Sequence, residues 1–260
     1  MWANEGVNDS WVDAYLARIG AKRPARPDAA ALRELHVRHL LAVPFENLSI
    51  HLGEDIALDS NALVSKIVER RRGGFCYELG GAFAALLSEL GFSVELLAAR
   101  VFGADGLGLP FDHLALRVGP WLADVGFGGH THYPLRLDER GDQVDPGGVF
   151  RIAETPEGDL DVIKDGMPAY RLETRPRELA EFEVGCWYNR TSPKSHFTRS
   201  LVCSMLTESG RVTLSGRTLI RTSESGRDER TLGDDAEVLS AYRRWFGVEL
   251  DQVPEVAGHR

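Results

Sequence analysis

Apolar side chains recur at helical spacing through the first 90 residues. Positions three or four residues apart are apolar in NDSWVDAYLARIG, in DAAALRELHVRHLLAVP and in the stretch that follows Asp59. Asp9 or Ser10 is placed to cap the first of these helices. A fourth helix begins at or near Cys76, keeps one apolar face and ends before Gly91. This part of the chain is therefore predicted to form a small helical bundle.

After Gly91 the pattern changes to the alternation of strands. FSVELLAARVF, HLALRVG, WLADVGF, GVFRIAE, LDVIKDG and AYRLETR follow one another, separated by Gly, Asp and Pro. The last part combines a polar loop (NRTSPKSHFTRS), a strand pair (GRVTLSGRTLIRT) and a closing helix (DDAEVLSAYRRWFG). We predict an α+β protein with a helical bundle over residues 1–90, a mostly antiparallel sheet or small barrel over 91–195 and an α/β segment over 196–260.

Charge and composition narrow the class of partner. The 260 residues include 39 acids and 30 bases, for a net charge of −9, so no overall field attracts nucleic acid or an anionic membrane. No apolar run approaches the roughly 18 residues of a membrane span, and MWANEGVNDSW lacks the features of a signal peptide. We expect a cytoplasmic protein that binds small molecules. Its cysteines, Cys76, Cys186 and Cys203, show no CxxC spacing and are expected to be reduced.

One cysteine stands at a helix start, in RRGGFCYELGGAF. Gly73 and Gly74 let the chain enter the helix without side-chain clashes, which leaves Cys76 in the first helical turn. Unpaired amides and the helix dipole there favour a thiolate and offer donors to an oxyanion, so we expect a lowered thiol pKa. A buried cysteine that serves as a small apolar residue explains the position equally well.

A histidine and an aspartate follow on a predicted hairpin, HLALRVGPWLAD. If the loop at Gly119 and Pro120 has an even number of residues, His113 and Asp124 share one face of the sheet. Their Cβ atoms would then lie roughly 4.5 to 8 Å apart, directly opposite or one diagonal apart. The carboxylate would orient the imidazole, giving a cysteine, histidine and aspartate arrangement with Cys76. An odd-length loop would separate them, leaving a solvated histidine and a strand-ending aspartate.

Six motifs together resemble the arylamine N-acetyltransferases, and the resemblance covers nearly the whole chain. They are DAYLARIG (13–20), VPFENLSIHLG (43–53), RRGGFCYELGGAF (71–83), the DHLALRV strand, DVGFGG (124–129) and SPKSHF (192–197). The resemblance implies a catalytic triad of Cys76, His113 and Asp124. It also implies a helical bundle, a β-barrel and an α/β lid, with a core similar to transglutaminases and papain-like proteases.

The chain departs from the family pattern in the hairpin. His113 and Asp124 are eleven residues apart, about four fewer than the resemblance leads us to expect. Removing two residues from each strand keeps both pairing and facing, so we interpret the hairpin as shortened with its triad intact. The C-terminal segment is also short.

The implied reaction is a ping-pong acetyl transfer. Acetyl-CoA would acetylate the cysteine, and an arylamine, arylhydrazine or N-hydroxyarylamine would then take the acetyl group. By resemblance, an acceptor pocket would be walled by Phe45, Val101, Phe127 and Phe197, with Phe75 and Tyr77 beside the cysteine. Each of these residues is equally compatible with ordinary core packing.

The CoA phosphates need local positive charge. The segment 189–200 is basic and free of acids, and we expect Arg190 and Lys194 to meet the phosphates. The glycine-rich backbone at Gly126, Gly128 and Gly129 is expected to assist. A solvated basic surface loop is the alternative.

Other functions remain as rivals at this stage. One is a transglutaminase-like or papain-like hydrolase, and another is a catalytically inactive relative that binds CoA or aromatic amines. The histidine pairs His36 with His39 and His130 with His132 lack a third ligand at a recognisable spacing, so no metal is expected. The sequence leaves open a homo-oligomer, and it leaves open whether the role is xenobiotic metabolism or amide formation within a biosynthetic pathway.

Overall fold

Five helices form the first part of the structure, a computed structural model in which residues 10–256 are described. They are α1 (Ser10–Ile19), α2 (Ala29–Ala42), α3 (Leu48–Leu52), α4 (Ser60–Val68) and α5 (Cys76–Glu89), with a two-residue strand β1 (Phe45–Glu46) between α2 and α3. Asp28 and Asp59 cap α2 and α4 through their side chains. The predicted helices are confirmed, α3 was not predicted, and the candidate cap Asp9 lies outside the described residues.

Helix α5 is the centre of this part. Its side chains Leu79, Phe83, Leu86 and Leu87 are wholly buried. A methyl group at Gly80 would lie 2.4 Å from Leu114 Cδ2, so the absence of a side chain lets the helix lie directly on the sheet. This close contact places the start of α5 beside the strand that contains Leu114.

Nine antiparallel strands form a nearly closed barrel. They are β2 (Val94–Gly103), β3 (Gly106–Leu107), β4 (His113–Val118), β5 (Trp121–Ala123), β6 (Leu135–Arg136), β7 (Gln143–Asp145), β8 (Gly148–Glu154), β9 (Leu160–Lys164) and β10 (Met167–Arg177). The order across the sheet is β6-β5-β4-β2-β10-β9-β8-β7, with β3 paired to β2. The two edges meet through Gln143, whose side-chain amide bonds both to the backbone N–H of Arg136, at 2.7 Å, and to its carbonyl, at 2.9 Å. A side chain thus joins the two edge strands.

The C-terminal part is a mixed α/β region. A 3₁₀ turn (Leu179–Phe182), α6 (Glu183–Thr191) and α7 (His196–Arg199) precede strands β11 (Val202–Thr207), β12 (Gly210–Ser215), β13 (Thr218–Ser223) and β14 (Gly226–Thr231), then α8 (Asp235–Ala241) and a π-helical turn (Tyr242–Phe246). The four strands form an antiparallel sheet, and β1 pairs with β11 at its edge. The predicted α+β architecture is confirmed. The predicted strand pair is confirmed as β12 and β13, within a five-stranded sheet. The predicted polar loop NRTSPKSHFTRS is wrong, because α6 and α7 occupy most of it.

Buried apolar side chains form three clusters, one around the helices, one inside the barrel and one under the C-terminal sheet. Cys76 belongs to the first, Tyr170 to the second and Cys203 to the third. Within residues 10–256, no helix is both long and apolar enough to span a membrane. Cys76 belongs to the helical cluster and His113 begins β4 of the barrel, so the predicted site lies where these two parts meet.

Candidate active site

The start of α5 is fixed by a buried ion pair. Glu78, in the first turn, accepts the backbone N–H of Phe75 at 3.2 Å, and its other carboxylate oxygen lies 2.5 Å from Lys66 Nζ. Both charged side chains are at most 5% exposed. Because an unpaired buried charge is costly, the pair holds the first turn, and with it Cys76, in one place.

The diglycine before the cysteine allows a close approach of two backbone segments. A methyl group at Gly73 would lie 1.8 Å from the Pro44 carbonyl oxygen, and Gly74 forms a parallel bridge with Phe45. Arg72 reinforces the contact through Glu46 at 3.0 Å. The glycines thus bring β1 against the entry to α5, which explains why side chains are excluded there.

His113 and Asp124 are brought together by a two-residue hairpin loop. Val118 pairs with Trp121 and Leu116 with Ala123, so the loop is even and the register continues to place Asp124 one diagonal from His113. His113 Nε2 lies 2.8 Å from Asp124 Oδ2, and both side chains are at most 3% exposed. The predicted hairpin is confirmed, and so is the prediction that His113 and Asp124 lie on one face of the sheet. The shortened interval of eleven residues keeps the two side chains in contact.

Asp124 is held as a carboxylate by its neighbours. Burial alone would raise its pKa, yet the charge of His113 and the hydrogen bond from it hold that pKa well below its usual range. Tyr170 Oη donates to Oδ2 at 2.9 Å, and the backbone N–H of Gly126 donates to Oδ1 at 3.0 Å. Every described partner of this side chain is a donor, so the ionised form is favoured.

The sulfur of Cys76 is flanked by both neighbours of His113. The Asp112 carbonyl oxygen lies 4.0 Å from Sγ, and the Leu114 backbone N–H also bonds toward the sulfur. A methyl group at Gly126 would lie 2.8 Å from Cys76 Cα, so the loop after Asp124 packs directly on the cysteine. The start of β4 and the loop after Asp124 therefore enclose the Cys76 thiol from two directions.

Burial raises the pKa of the Cys76 thiol well above its ordinary value, against the opposing effect of the Leu114 N–H. The expected lowering by the helix start does not overcome this burial. Since low polarity penalises an isolated thiolate, the reactive form requires a cation beside it. A protonated His113 would supply that charge.

Three polar residues around the pair were not identified from the sequence. Tyr170 comes from β10, and His130 Nε2 lies 3.5 Å from its hydroxyl. His36 Nε2 accepts the Asp124 backbone N–H at 3.2 Å, while its Nδ1 lies 3.0 Å from the His132 carbonyl. Burial lowers the pKa of His36 and of His130, the latter to about 4, so both are neutral at pH 7. The sequence indicated only the two histidines, as members of the pairs His36 with His39 and His130 with His132, and it gave no indication of Tyr170.

The residues predicted to wall an acceptor pocket form two groups. Phe45 and Phe75 lie 6.1 and 5.6 Å from Phe197 between ring centroids. Phe127 lies 5.0 Å from the His113 ring between centroids, and both Phe127 and Val101 pack against the barrel core. The four predicted walls, Phe45, Val101, Phe127 and Phe197, are all partly exposed.

The two residues predicted to flank the cysteine, Phe75 and Tyr77, are wholly buried. Phe75 packs 5.0 Å from the ring of Tyr77, between centroids. The Tyr77 hydroxyl donates to the Phe111 carbonyl at 2.7 Å and accepts from Asn189 at 3.0 Å. Tyr77 thus supports the chain that leads into His113.

The predicted CoA residues are dispersed. Arg190 bonds Asp55 at 3.2 Å and the Ile56 carbonyl at 3.0 Å, and Lys194 is exposed. Within residues 10–256, no hydrogen bond or ion pair joins either cation to the loop 126–129. In that loop, Gly126 is buried against the cysteine, while Gly128 and Gly129 reach the surface.

No part of the chain between residues 10 and 256 gathers three or more His, Cys, Asp or Glu side chains in a way that could hold a metal ion. His39, one of the candidates, lies 3.0 Å from the Tyr15 hydroxyl through Nε2. Burial lowers the pKa of His39 to about 3, so it is a neutral core residue.

Comparison with known proteins decides the family. Residues 28–255 match the family model described as N-acetyltransferase. The chain is 40% identical to the arylamine N-acetyltransferase of Mycolicibacterium smegmatis in an alignment of 253 residues that covers 91% of each chain. The chain belongs to the arylamine N-acetyltransferase family.

Further relatives agree in sequence and fold. The Escherichia coli arylamine N-acetyltransferase is 34% identical in an alignment of 251 residues that covers 91% of this chain and 88% of that one. The arylamine N-acetyltransferase of Mycobacterium marinum in complex with CoA superposes with a TM-score of 0.82 at 33% identity, covering 91% of this chain and 92% of that one. Acetyl-CoA is the acyl donor of the arylamine N-acetyltransferase family.

Proposed function

We propose that the protein transfers an acetyl group from acetyl-CoA to an arylamine, arylhydrazine or N-hydroxyarylamine through a thioester on Cys76, in a ping-pong reaction. The observation that supports this most is the 2.8 Å contact of His113 Nε2 with Asp124 Oδ2, next to a thiol that both neighbours of His113 contact. These contacts support Cys76 as nucleophile, His113 as base and Asp124 as the orienting carboxylate.

In the first half-reaction, the Cys76 sulfur attacks the thioester carbonyl of the donor. His113 takes the thiol proton, and the resulting imidazolium is stabilised by Asp124. The carbon-sulfur bond to CoA breaks, and the proton leaves with the CoA thiolate. One thioester replaces another, so the step is close to neutral in free energy. Backbone N–H groups at the start of α5 are the candidates to bind the oxyanion.

In the second half-reaction, the aromatic amine attacks the acetyl group on Cys76. Aromatic amines are weak bases, so at neutral pH the free nucleophile predominates. His113 accepts the proton that the nitrogen loses, the thioester bond breaks, and the proton returns to the Cys76 sulfur. Asp124 keeps the imidazole in one orientation through both halves.

The partly exposed side chains Phe45, Phe197, Val101 and Phe127 are the groups that would contact the acceptor ring. They approach the site from two sides, one from the C-terminal sheet and helices and one from the barrel rim. A flat apolar acceptor fits between such walls. We further propose that the enzyme acts in the cytoplasm on xenobiotic amines.

Steady-state kinetics test the proposal. Acetylation of an anisidine is measured while acetyl-CoA and amine are varied together, with CoA release followed in parallel. We expect parallel double-reciprocal lines, and we expect Cys76→Ala to abolish turnover. Cys203→Ala is the matched control, because that thiol lies in the C-terminal core. Turnover retained in Cys76→Ala, or amide hydrolysis that does not need CoA, would contradict the proposal and favour the hydrolase.

A further inference from the structure

Arg211 is a half-buried cation on β12, a strand of the C-terminal sheet. Along β12, Val212 and Leu214 point into the C-terminal core, so Arg211 and Thr213 lie on the opposite face. The guanidinium Nη1 donates to Ser204 Oγ at 3.2 Å. Across the described chain, no carboxylate lies within 4.0 Å of it. Burial lowers its pKa to about 10, so it stays charged at pH 7.

Lys164 approaches the same place from the barrel. It ends β9, and its Nζ donates to the Gly129 carbonyl at 2.8 Å. A methyl group at Gly129 would lie 3.9 Å from Arg211 Nε. Among residues 10–256, Lys164 also has no carboxylate within ion-pair distance. Two cations, from the barrel and from the C-terminal sheet, thus flank one exposed glycine.

The acids nearest these cations are already engaged. Asp145 accepts the backbone N–H of His132 at 2.8 Å and of Gly147 at 2.7 Å. Asp165 accepts the backbone N–H of Val149 at 2.8 Å. The remaining titratable neighbour, His132, is half-buried, and burial lowers its pKa. The cations therefore keep free hydrogen-bonding capacity for an external anion.

The glycine loop connects this place with the nucleophile. Gly126 packs on Cys76, and Gly129 follows three residues later, within a chain length of about 10 Å. Acyl-CoA has its thioester at one end of an extended arm and its phosphates at the other. A donor whose thioester meets the sulfur can therefore lay its arm along the loop toward the two cations.

We propose that Arg211 and Lys164, with the exposed backbone of Gly128 and Gly129, bind the phosphates of the acyl-CoA donor. The inference rests on the proposed function and specifies where its donor is held. The place differs from the predicted phosphate contacts Arg190 and Lys194, and Arg190 Nη1 pairs with Asp55 at 3.2 Å. Charge-assisted hydrogen bonds to phosphate are the interaction for which a guanidinium is best suited.

The test compares two donors, acetyl-CoA and S-acetylpantetheine, which lacks the phosphates. In Arg211→Gln we expect KM for acetyl-CoA to rise about tenfold, with kcat/KM for S-acetylpantetheine unchanged. Arg211→Lys should recover part of the loss because the charge remains. In the unchanged enzyme, KM for acetyl-CoA should rise with ionic strength, and this dependence should weaken in Arg211→Gln. Lys164→Met should show the same donor selectivity.

Arg221→Gln is the matched control. Arg221 lies on the other face of the same sheet, where it pairs with Asp228 at 2.6 Å, so both donors should react as before. An equal loss with both donors would show that Arg211 only supports the structure, and an unchanged KM for acetyl-CoA would also overturn the inference. If the unchanged enzyme accepts acetyl from neither donor, the proposed function itself fails.

Discussion

Tyr170 Oη and His113 Nε2 meet the same carboxylate oxygen, Asp124 Oδ2, at 2.9 and 2.8 Å. The two donors come from β10 and β4, strands that both pair with β2. Gly126 fixes the other oxygen, so three contacts orient the carboxylate. An aspartate held this way keeps its partner imidazole in a single orientation, which acid-base catalysis needs.

Removing the Tyr170 hydroxyl should weaken catalysis without disturbing the fold. In Tyr170→Phe the ring remains and Asp124 loses one hydrogen bond, so we expect kcat/KM to fall about tenfold. The pKa of Asp124 should rise, because a donor to its ionised form is lost. Tyr15→Phe, which removes a buried hydroxyl beside His39, is the control. An unchanged kcat/KM in Tyr170→Phe would contradict this role.

Gly126 should be sensitive to a single methyl group. In Gly126→Ala the new Cβ would lie 2.8 Å from Cys76 Cα and 3.1 Å from its Cβ, so the cysteine must shift. Because small displacements of reacting groups are costly, we expect the acetylation rate to fall about 100-fold while the melting temperature changes little. Gly103→Ala, where the nearest atom is 4.0 Å away, should keep full activity. Full activity in Gly126→Ala would show that the loop does not position the sulfur.

Buried neutral histidines should make the protein sensitive to acid. Burial lowers the pKa of His39 to about 3 and of His130 to about 4, whereas an unfolded histidine titrates near 6.5. Between these values the unfolded state binds more protons, so the free energy of unfolding decreases as the pH falls from about 6.5 toward 4. Urea unfolding across this range should show the decrease.

His39→Gln should flatten that dependence, since it removes one group that must become charged on unfolding while an amide can still bond Tyr15. His196→Gln, at an exposed position, should keep the original slope. A slope in His39→Gln as steep as in the unchanged protein would rule out His39 as a source of the acid sensitivity.

The Lys66 and Glu78 pair should show strong coupling. Lys66→Met leaves a buried carboxylate without its ion-pair partner, and we expect the free energy of unfolding to fall by about 3 to 5 kcal/mol. The double variant Lys66→Met with Glu78→Gln should recover most of this loss, since it leaves no buried charge of the pair. Urea unfolding of the four proteins gives the coupling energy. Additive losses would mean that the two charges do not act as a pair.

The sequence predicts best what depends on neighbours along the chain. The start of α5 depends on an interval of a few residues, and the facing of His113 with Asp124 depends on a two-residue loop. Periodicity and turn chemistry decide these features locally, which is why they could be identified.

Features that depend on distant partners were missed. Tyr170 is 46 residues from Asp124 in the chain, and His36 is 88 residues away, and neither has a local signal for that contact. Arg190 stands in a segment without acids, yet its partner Asp55 is 135 residues away. The sequence predicts a polar loop over NRTSPKSHFTRS, whereas its first residue, Asn189, is buried and donates a hydrogen bond to the Tyr77 hydroxyl. Only the tertiary fold supplies these partners.

The nucleophile is identified most directly by peptide mass spectrometry after brief incubation with acetyl-CoA, followed by addition of an aromatic amine. We expect one acetyl group on the Cys76 peptide and none on Cys186 or Cys203, and we expect the acetyl group to disappear when the amine is added. Folded, reduced protein whose Cys76 peptide stays unmodified would contradict the central claim that this thiol is the nucleophile.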